Sequence, residues 1–493
     1  MYWNTKKCCR NVDRLTSLPD ELVSKIVSML PTKDVAATQV LCKRMRRLAF
    51  TCLTSVDLDD SPLSHCPHYP HRPDRFPLFV SFVDHVLNNL SQPLTRFRLH
   101  VGGDKNTDSP RKSYWHSCNG LCFPDLQPSR LKKWISYPLA HRGLKELDLS
   151  FHVSNPSDCR LPHQLFACHF LEVLKLDSNL NLDGTEISLI SLPNLKRLHL
   201  YSFLIFRDAF LTKLISRCPS LEELECAYCR LISGRLTVSS KSLRKLVLII
   251  FKSCPDDERN SELVVIDTPN LQYFQYWDNV ANHYSISYMN ALVEANLRIG
   301  LPSATDSAKI SYRKQLSLLR LVSYAPHLSL TGYHLENISF GGKSKDELPM
   351  FHNLKTLELG WNSCAARWDK TLLEILACSP NLETLVFPEG FFFYGDLEFI
   401  QTEETFLENQ DSGSSEASPR CFQSNLKRIV IKDYYGTGRE LNIIKFLLQK
   451  ASILQELEII CYSENDHVVP IHELVSTLTE LPRASVTCSI RVS

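Results

Sequence analysis

Apolar residues recur along this chain in one short phrase, Leu-x-x-Leu-x-Leu, with mostly polar residues between them. It stands at Leu144, Leu147 and Leu149, at Leu171, Leu174 and Leu176, and at Leu195, Leu198 and Leu200. Leu221, Leu224 and Cys226 continue it, then Leu243, Leu246 and Leu248, and Leu271, Phe274 and Tyr276 carry it in aromatics. Weaker copies begin at Leu94, Leu292 and Leu335, and clear ones return at Leu354, Leu382, Leu426 and Leu454. From Leu144 to Leu271 the leading leucines lie 22 to 28 residues apart. The last two apolar positions of each phrase are two apart, so on an extended strand they share one face. One strand cannot bury that face alone, but strands stacked side by side make a parallel sheet over a continuous core. The residues between phrases must return on the other side. "DAFLTKLISRCPS" before Leu221 returns as a helix, with Phe210, Leu214 and Cys218 four apart and Leu211 and Ile215 beside them. "DKTLLEILACSP" before Leu382 repeats the design, and a proline stops each helix. The pattern predicts an α/β solenoid over residues 75–400, its parallel sheet on the concave face and its helices outside.

The two ends of the chain read differently. Residues 401–421 are acidic and Ser-rich, which predicts a flexible linker. Residues 422–493 read as a strand, a Gly-containing turn, an amphipathic helix through Leu441, Ile444 and Leu448, and another strand, one further βαβ unit. At the other end, residues 12–58 place Leu18, Leu22, Ile26 and Leu30 four apart, with Val23 and Val27 widening the stripe. Pro19 suits a helix start, Pro31 ends that helix, and Thr32 is placed to cap the next. A third segment sets Leu41, Met45 and Leu48 among Lys43, Arg44, Arg46 and Arg47. Three short helices bury too little surface to stand alone. They are expected either to be completed by a partner or to cap the solenoid.

Composition narrows the function. The chain has 493 residues, too many for one compact core. Its 55 Lys plus Arg against 54 Asp plus Glu give no general attraction to nucleic acid or to an anionic membrane. "MYWNTKKCCRNVDRL" carries no apolar stretch of the secretory kind, and runs such as "LVLIIF" are far short of a membrane span. The 18 cysteines are therefore expected to be mostly reduced, buried, small apolar residues.

Binding chemistry is expected on the outward strand positions. These include Arg96, Arg98, His100, Glu146, Asp148, Val173, Lys175, Asp177, Glu223, Glu225, Ala227, Lys245, Val247 and Ile249. Arg197, His199 and Tyr201, with Tyr273, Gln275 and Trp277, are the preferred target-binding set, because Tyr, Trp and Arg are enriched at hot spots. The insertion at 102–130 is polar with scattered aromatics, and Ser412, Ser414 and Ser415 sit among acids where phosphorylation is conceivable. His65, Cys66, His68 and His71 cluster without a matching second ligand pair, so no metal is expected there. Cys226 and Cys229 form a Cys-x-x-Cys, but Cys226 fills a core slot of the repeat. No phosphate loop, nucleophile elbow or carboxylate pair stands out, so neither catalysis nor a cofactor is expected.

The segment "LPDELVSKIVSMLPTKDVAATQVLCKRMRRL" resembles an F-box, with its Leu-Pro start, amphipathic helix, Leu-Pro-x-Lys and Leu-x-Lys-Arg-x-Arg ending. The resemblance implies docking on a Skp-type adaptor and, through it, on a cullin–RING ubiquitin ligase. Carried over by position, Leu18, Pro19, Leu22, Ile26, Leu30, Pro31, Val35 and Leu41 would form or support that surface. Met45 stands where the family usually has Trp, which implies less packing area rather than loss of the module. Followed by repeats such as "CPSLEELECAYC" and "TPNLQYFQYWD", the chain resembles the plant F-box/leucine-rich-repeat family, and its end resembles that family's FBD domain. The family implies a non-catalytic receptor that holds a protein substrate for ubiquitination, in the nucleus or cytoplasm. The alternatives are a small-molecule-gated receptor of the same architecture and an interaction scaffold not coupled to ubiquitination.

Overall fold

A computed structural model describes residues 17–60, 76–101, 126–140, 142–153, 155–182, 189–202, 204–232, 235–252, 263–278, 283–287, 289–299, 316–332, 348–360, 368–391, 418–462 and 471–493. The insertion at 102–125, the His65–His71 cluster, the three candidate serines and most of the 401–421 segment lie outside the described residues. The chain divides after Ile205 into two compact units.

The first unit opens with three helices, α1 (Asp20–Ser28), α2 (Thr32–Thr38) and α3 (Lys43–Leu48). Its parallel sheet runs in chain order: β1 (Ser55–Asp59), β2 (Arg96–Val101), β3 (Glu146–Phe151), β4 (Val173–Ser178) and β5 (Arg197–Tyr201). Two longer helices, α4 (Phe76–Asn89) and α5 (Pro128–Leu139), return the chain between strands. They meet through buried Trp134, which packs edge-on against Phe79 and donates its indole N–H to Asp84 at 2.8 Å.

The second unit begins at Phe206, the last residue of β6 (Ile205–Phe206), and its first helix is α6 (Asp208–Ser216). Its strands run in parallel through β7 (Glu223–Leu231), β9 (Lys245–Lys252), β11 (Tyr273–Asp278), β13 (Glu294–Ile299), β14 (His327–Gly332), β15 (Thr356–Gly360) and β16 (Thr384–Phe387). It ends with β17 (Arg428–Tyr434), β18 (Glu456–Cys461) and β19 (Ser489–Val492). The helices α7 (Trp368–Ala377), α8 (Arg420–Ser424), α9 (Gly438–Lys450) and α10 (Ile471–Glu480) belong to the returns of this later part.

The repeat phrase explains the registers. Leu147, Leu174 and Leu198 align across β3, β4 and β5, and Leu224, Leu246 and Phe274 across β7, β9 and β11; all are buried. The Asn that precedes many phrases has its own task. Asn194 donates to the His169 carbonyl at 2.7 Å, Asn381 to His352 at 2.8 Å and Asn425 to Pro380 at 2.9 Å, each one repeat back. Ser242 and Ser485 also reach one repeat back, donating their hydroxyls to the carbonyls of the leading leucines Leu221 and Leu454. These bonds satisfy backbone carbonyls at the turns that feed each strand.

Two expectations change. Helices were expected outside the sheet, but between β7 and β13 the returns include β8 (Arg235–Ser239), β10 (Leu263–Asp267) and β12 (His283–Ile286), which pair as a second, three-stranded parallel sheet. Their β-branched, alternating sequences, "RLTVS" and "LVVID", favour strand over helix. Outward positions were expected to be exposed, yet Val173, Ala227, Val247 and Ile249 are buried.

Candidate functional site

The three N-terminal helices carry one candidate surface. Val23 and Val27 of α1, Val35 of α2 and Met45 of α3 fill their interior. Pro19 stands at the N-terminus of α1 without a side-chain cap, as its missing N–H permits. Arg44 locks α3 to α1, reaching the Asp20 carboxylate and the Leu18 carbonyl, each at 2.5 Å, and Arg47 adds a second contact to Asp20 at 3.1 Å. The basic run is thus in part an internal clamp. α3 is capped by Cys42, whose sulfur accepts from the Met45 amide. Thr32 does not cap α2; its hydroxyl instead accepts from the Asp57 amide on β1 at 2.9 Å.

With the interior filled, the rest of the apolar stripe faces water. Leu22 and Ile26 are exposed on α1, Met29 and Leu30 just past its C-terminus, and Val40 and Leu41 project from the α2–α3 turn with 81% and 61% of their surface open. Pro19 and Pro31 are also exposed and Leu18 is half-buried. One position needs correction: Val35, expected at this surface, has 0% exposure. It lies three residues beyond Thr32 and so on the same inward side of α2. Met45, at 2% exposure, is part of the helical core and not of its surface.

The strands carry the other candidate surface, in two separate parts. In the first unit, Arg98 reaches Asp57 at 3.1 Å and the His100 ring at 3.0 Å, and His100 in turn meets Asp148 at 3.0 Å. Burial tends to push the Asp148 carboxyl up. The His100 hydrogen bond and the charges of His100, Lys175 and Arg98 outweigh it and hold Asp148 below the usual aspartate range. Farther along, Arg197 is exposed and Tyr201 half-buried. His199, expected to be exposed, is not: only 8% of it is open, because the Tyr201 ring packs edge-on at 5.8 Å and its hydroxyl lies 3.2 Å from Nδ1. Sequence spacing gives the face a side chain points to, not what its neighbours cover.

In the second unit, Tyr273, Gln275 and Trp277 are half-buried along β11 and belong to a network. The Tyr273 hydroxyl donates to Gln275 at 3.1 Å and accepts from Asn296 at 2.9 Å. Lys245 lies over the Tyr273 ring and between Glu223 at 2.8 Å and Glu225 at 2.5 Å. Trp277 is stacked by the Arg298 guanidinium, 4.2 Å from its centroid, and touched edge-on by Tyr228. Sequence reasoning missed Tyr228 and Arg298. Tyr228 is an extra residue where the β7–β9 register shifts, and it takes a positive φ of 62°. Nothing in "ECAYCRL" announces a bulge. The same shift turns Cys226 and Cys229 both into the core, where burial pushes the Cys226 thiol far up. A redox pair is not what these two thiols form.

Comparison with known proteins agrees with this layout. Residues 15–53 match the F-box domain model, residues 131–295 match the LRR repeats of the FBD-associated F-box protein At5g56370, and residues 415–459 match the FBD model. The F-box/LRR-repeat protein At3g59200 of Arabidopsis thaliana is 31% identical over 97% of this chain and 88% of its own length. At3g59210 of the same plant, also an F-box/LRR-repeat protein, is 32% identical over 97% and 94%. Among the described residues no helix is long and apolar enough to cross a membrane. With F-box, repeat and FBD matches falling in turn on its N-terminal helices, its middle strands and the β17–α9–β18 unit, the chain belongs to the F-box/LRR-repeat protein family.

Proposed function

We propose that this chain is a substrate-recognition subunit of a Skp–cullin–F-box type ubiquitin ligase, its helices docking on a Skp-type adaptor and its strand face holding a protein target. The observation that supports the reading is the row Leu22, Ile26, Met29, Leu30 and Leu41, left in solvent on helices whose core is already filled. Covering one such side chain stabilises a complex by roughly 1.5–3 kcal/mol, so the row is a surface that gains from a partner. In this reading the chain performs no bond chemistry. It holds target lysines near a ubiquitin carrier bound elsewhere in the complex, and the gain is effective concentration.

The test is co-purification with a Skp-type adaptor, wild type beside Ile26→Asp. Ile26 faces water, so the free variant should keep its circular-dichroism melt. At an interface the new carboxylate would be buried without a partner, at a cost of several kcal/mol, on the order of an uncompensated ion. Retention of wild type and loss of the variant is the expected result. Failure of the wild type with every Skp-type adaptor tried would reduce the helices to a cap on the sheet.

A further inference from the structure

The outward face of β7, β9, β11 and β13 is organised by register into three rows. The first holds Glu223, Lys245, Tyr273 and Glu294; the second Glu225, Val247, Gln275 and Asn296; the third Ala227, Ile249, Trp277 and Arg298. The rows differ in chemistry. At the starts of the strands, the carboxylates Glu223 and Glu225 hold one ammonium, Lys245, and a third carboxylate, Glu294, stands beyond Tyr273 with the Asn296 amide bonded to it. At the other end, Trp277 meets the Arg298 guanidinium and the Tyr228 ring, with buried Ile249 opposite it on the neighbouring strand.

Two features show that this face is not ordinary solvated sheet. Tyr228 keeps a backbone conformation that costs an aromatic residue of order 1–3 kcal/mol. A bulge there re-aims its ring towards Trp277 and out of the strand's alternation. Lys245, meanwhile, displays what the acidic end can hold: an ammonium in contact with two carboxylates and 5.7 Å from an aromatic centroid.

We propose that this face takes an extended segment of a protein partner that carries a basic side chain and, about four residues from it, an apolar one. The inference rests on the receptor reading above and specifies the target chemistry its strand face would select. The basic group enters beside Tyr273 at the starts of the strands, where Glu223, Glu225 and Glu294 outnumber the single Lys245 ammonium, so that charge complementarity favours it and rejects acidic segments. The apolar group covers Trp277 and Tyr228. Tyr273 and Trp277 are four residues apart on β11, about 13 Å at strand rise, which fixes the spacing. Tyr, Trp and Arg at the apolar end are the residue types that anchor interfaces.

The experiment uses the full chain and, as probe, a positional-scanning library of synthetic nonapeptides. The expected outcome is enrichment of Lys or Arg at one position and of aromatic or aliphatic residues about four positions away. The selected peptide, fluorescently labelled, should bind Glu225→Gln and Trp277→Ala at least about tenfold more weakly than wild type, as loss of a hot-spot residue predicts. Glu225→Gln preserves shape and decides the matter if Trp277→Ala does not fold. No enrichment, enrichment of acidic residues, or equal binding to wild type and Glu225→Gln would each overturn the proposal. Adaptor co-purification is read separately. Adaptor binding without peptide selection sinks this inference alone, and peptide selection by a chain that ignores adaptors sinks the ligase reading alone.

Discussion

The Thr32 hydroxyl and the Asp57 amide, 25 residues apart, are joined by a hydrogen bond of 2.9 Å. Asp57 lies in β1, which pairs with β2 along its other edge, so α2 covers the edge that β1 would otherwise present to water. Thr32 is buried, and the bond therefore closes a seam between the helices and the sheet of the first unit. Thr32→Val keeps the shape and leaves the Asp57 N–H facing a methyl group. The expected loss is about 1–3 kcal/mol, the cost of a buried donor left without an acceptor. Urea unfolding of wild type, Thr32→Val and Thr32→Ser measures it. Thr32→Ser, which keeps the hydroxyl, should stay much closer to wild type than Thr32→Val does.

Neighbouring residues on α1 separate binding from folding. Ile26 is exposed and Val27 has 1% of its surface open, although both belong to the same apolar stripe. Val27→Asp puts a carboxylate into the helical core and should unfold the N-terminal helices, seen as lost helical signal and early proteolysis there. Ile26→Asp should leave both unchanged and act only on partner binding. If the two variants behave alike, the assignment of outer and inner faces is wrong.

The strands were legible because their signal is local. A period of two with leucine on one face needs no knowledge of neighbours, and Leu147, Leu174 and Leu198 stand buried and in register as the phrase requires. The helical segment was legible too, through its four-residue spacing. What the sequence hid depends on contacts across the fold. Val35 turns inward because α2 lies on β1, and His199 is covered because Tyr201 leans on it. Thr32 looked like a cap, but a distant amide claims its hydroxyl. Tyr228 joins Trp277 through a bulge that no residue type in "ECAYCRL" requires.

The Asn at the head of many phrases offers a test of the repeat itself. Asn425 donates to Pro380 across 45 residues, in a part-buried turn. Asn425→Ala removes the donor and should cost about 0.5–1.5 kcal/mol, the usual net value of such a bond. Asn425→Ser shortens the reach but keeps a hydroxyl, the group Ser242 and Ser485 use at equivalent turns, and should recover part of the loss in urea unfolding.

Two carboxylates should give stability opposite dependences on pH. Asp148 is held below its ordinary range in the folded chain, so its contribution is complete above the unfolded aspartate value of about 3.9 and fades as pH falls through that region. Glu440 is the reverse case. It closes a capping box on α9, accepting from the Thr437 amide at 2.9 Å and the Thr437 hydroxyl at 3.0 Å, while its own amide donates back to that hydroxyl. Burial pushes its carboxyl up, and the hydrogen bonds from Thr437, Tyr435 and Gly436 offset only part of this. The folded chain therefore binds the Glu440 proton more tightly than the unfolded chain does, and stability from this group rises as pH falls towards the unfolded glutamate value of about 4.3. The stability of each variant minus that of wild type, followed by urea unfolding from pH 7 downward, isolates both groups. The deficit of Asp148→Asn should shrink on acidification below about pH 4. Glu440→Gln should instead lose ground to wild type as pH falls, by no more than about 1.4 kcal/mol per pH unit. Parallel curves for the two variants would show that the buried Glu440 carboxyl is not the proton-binding group assigned to it.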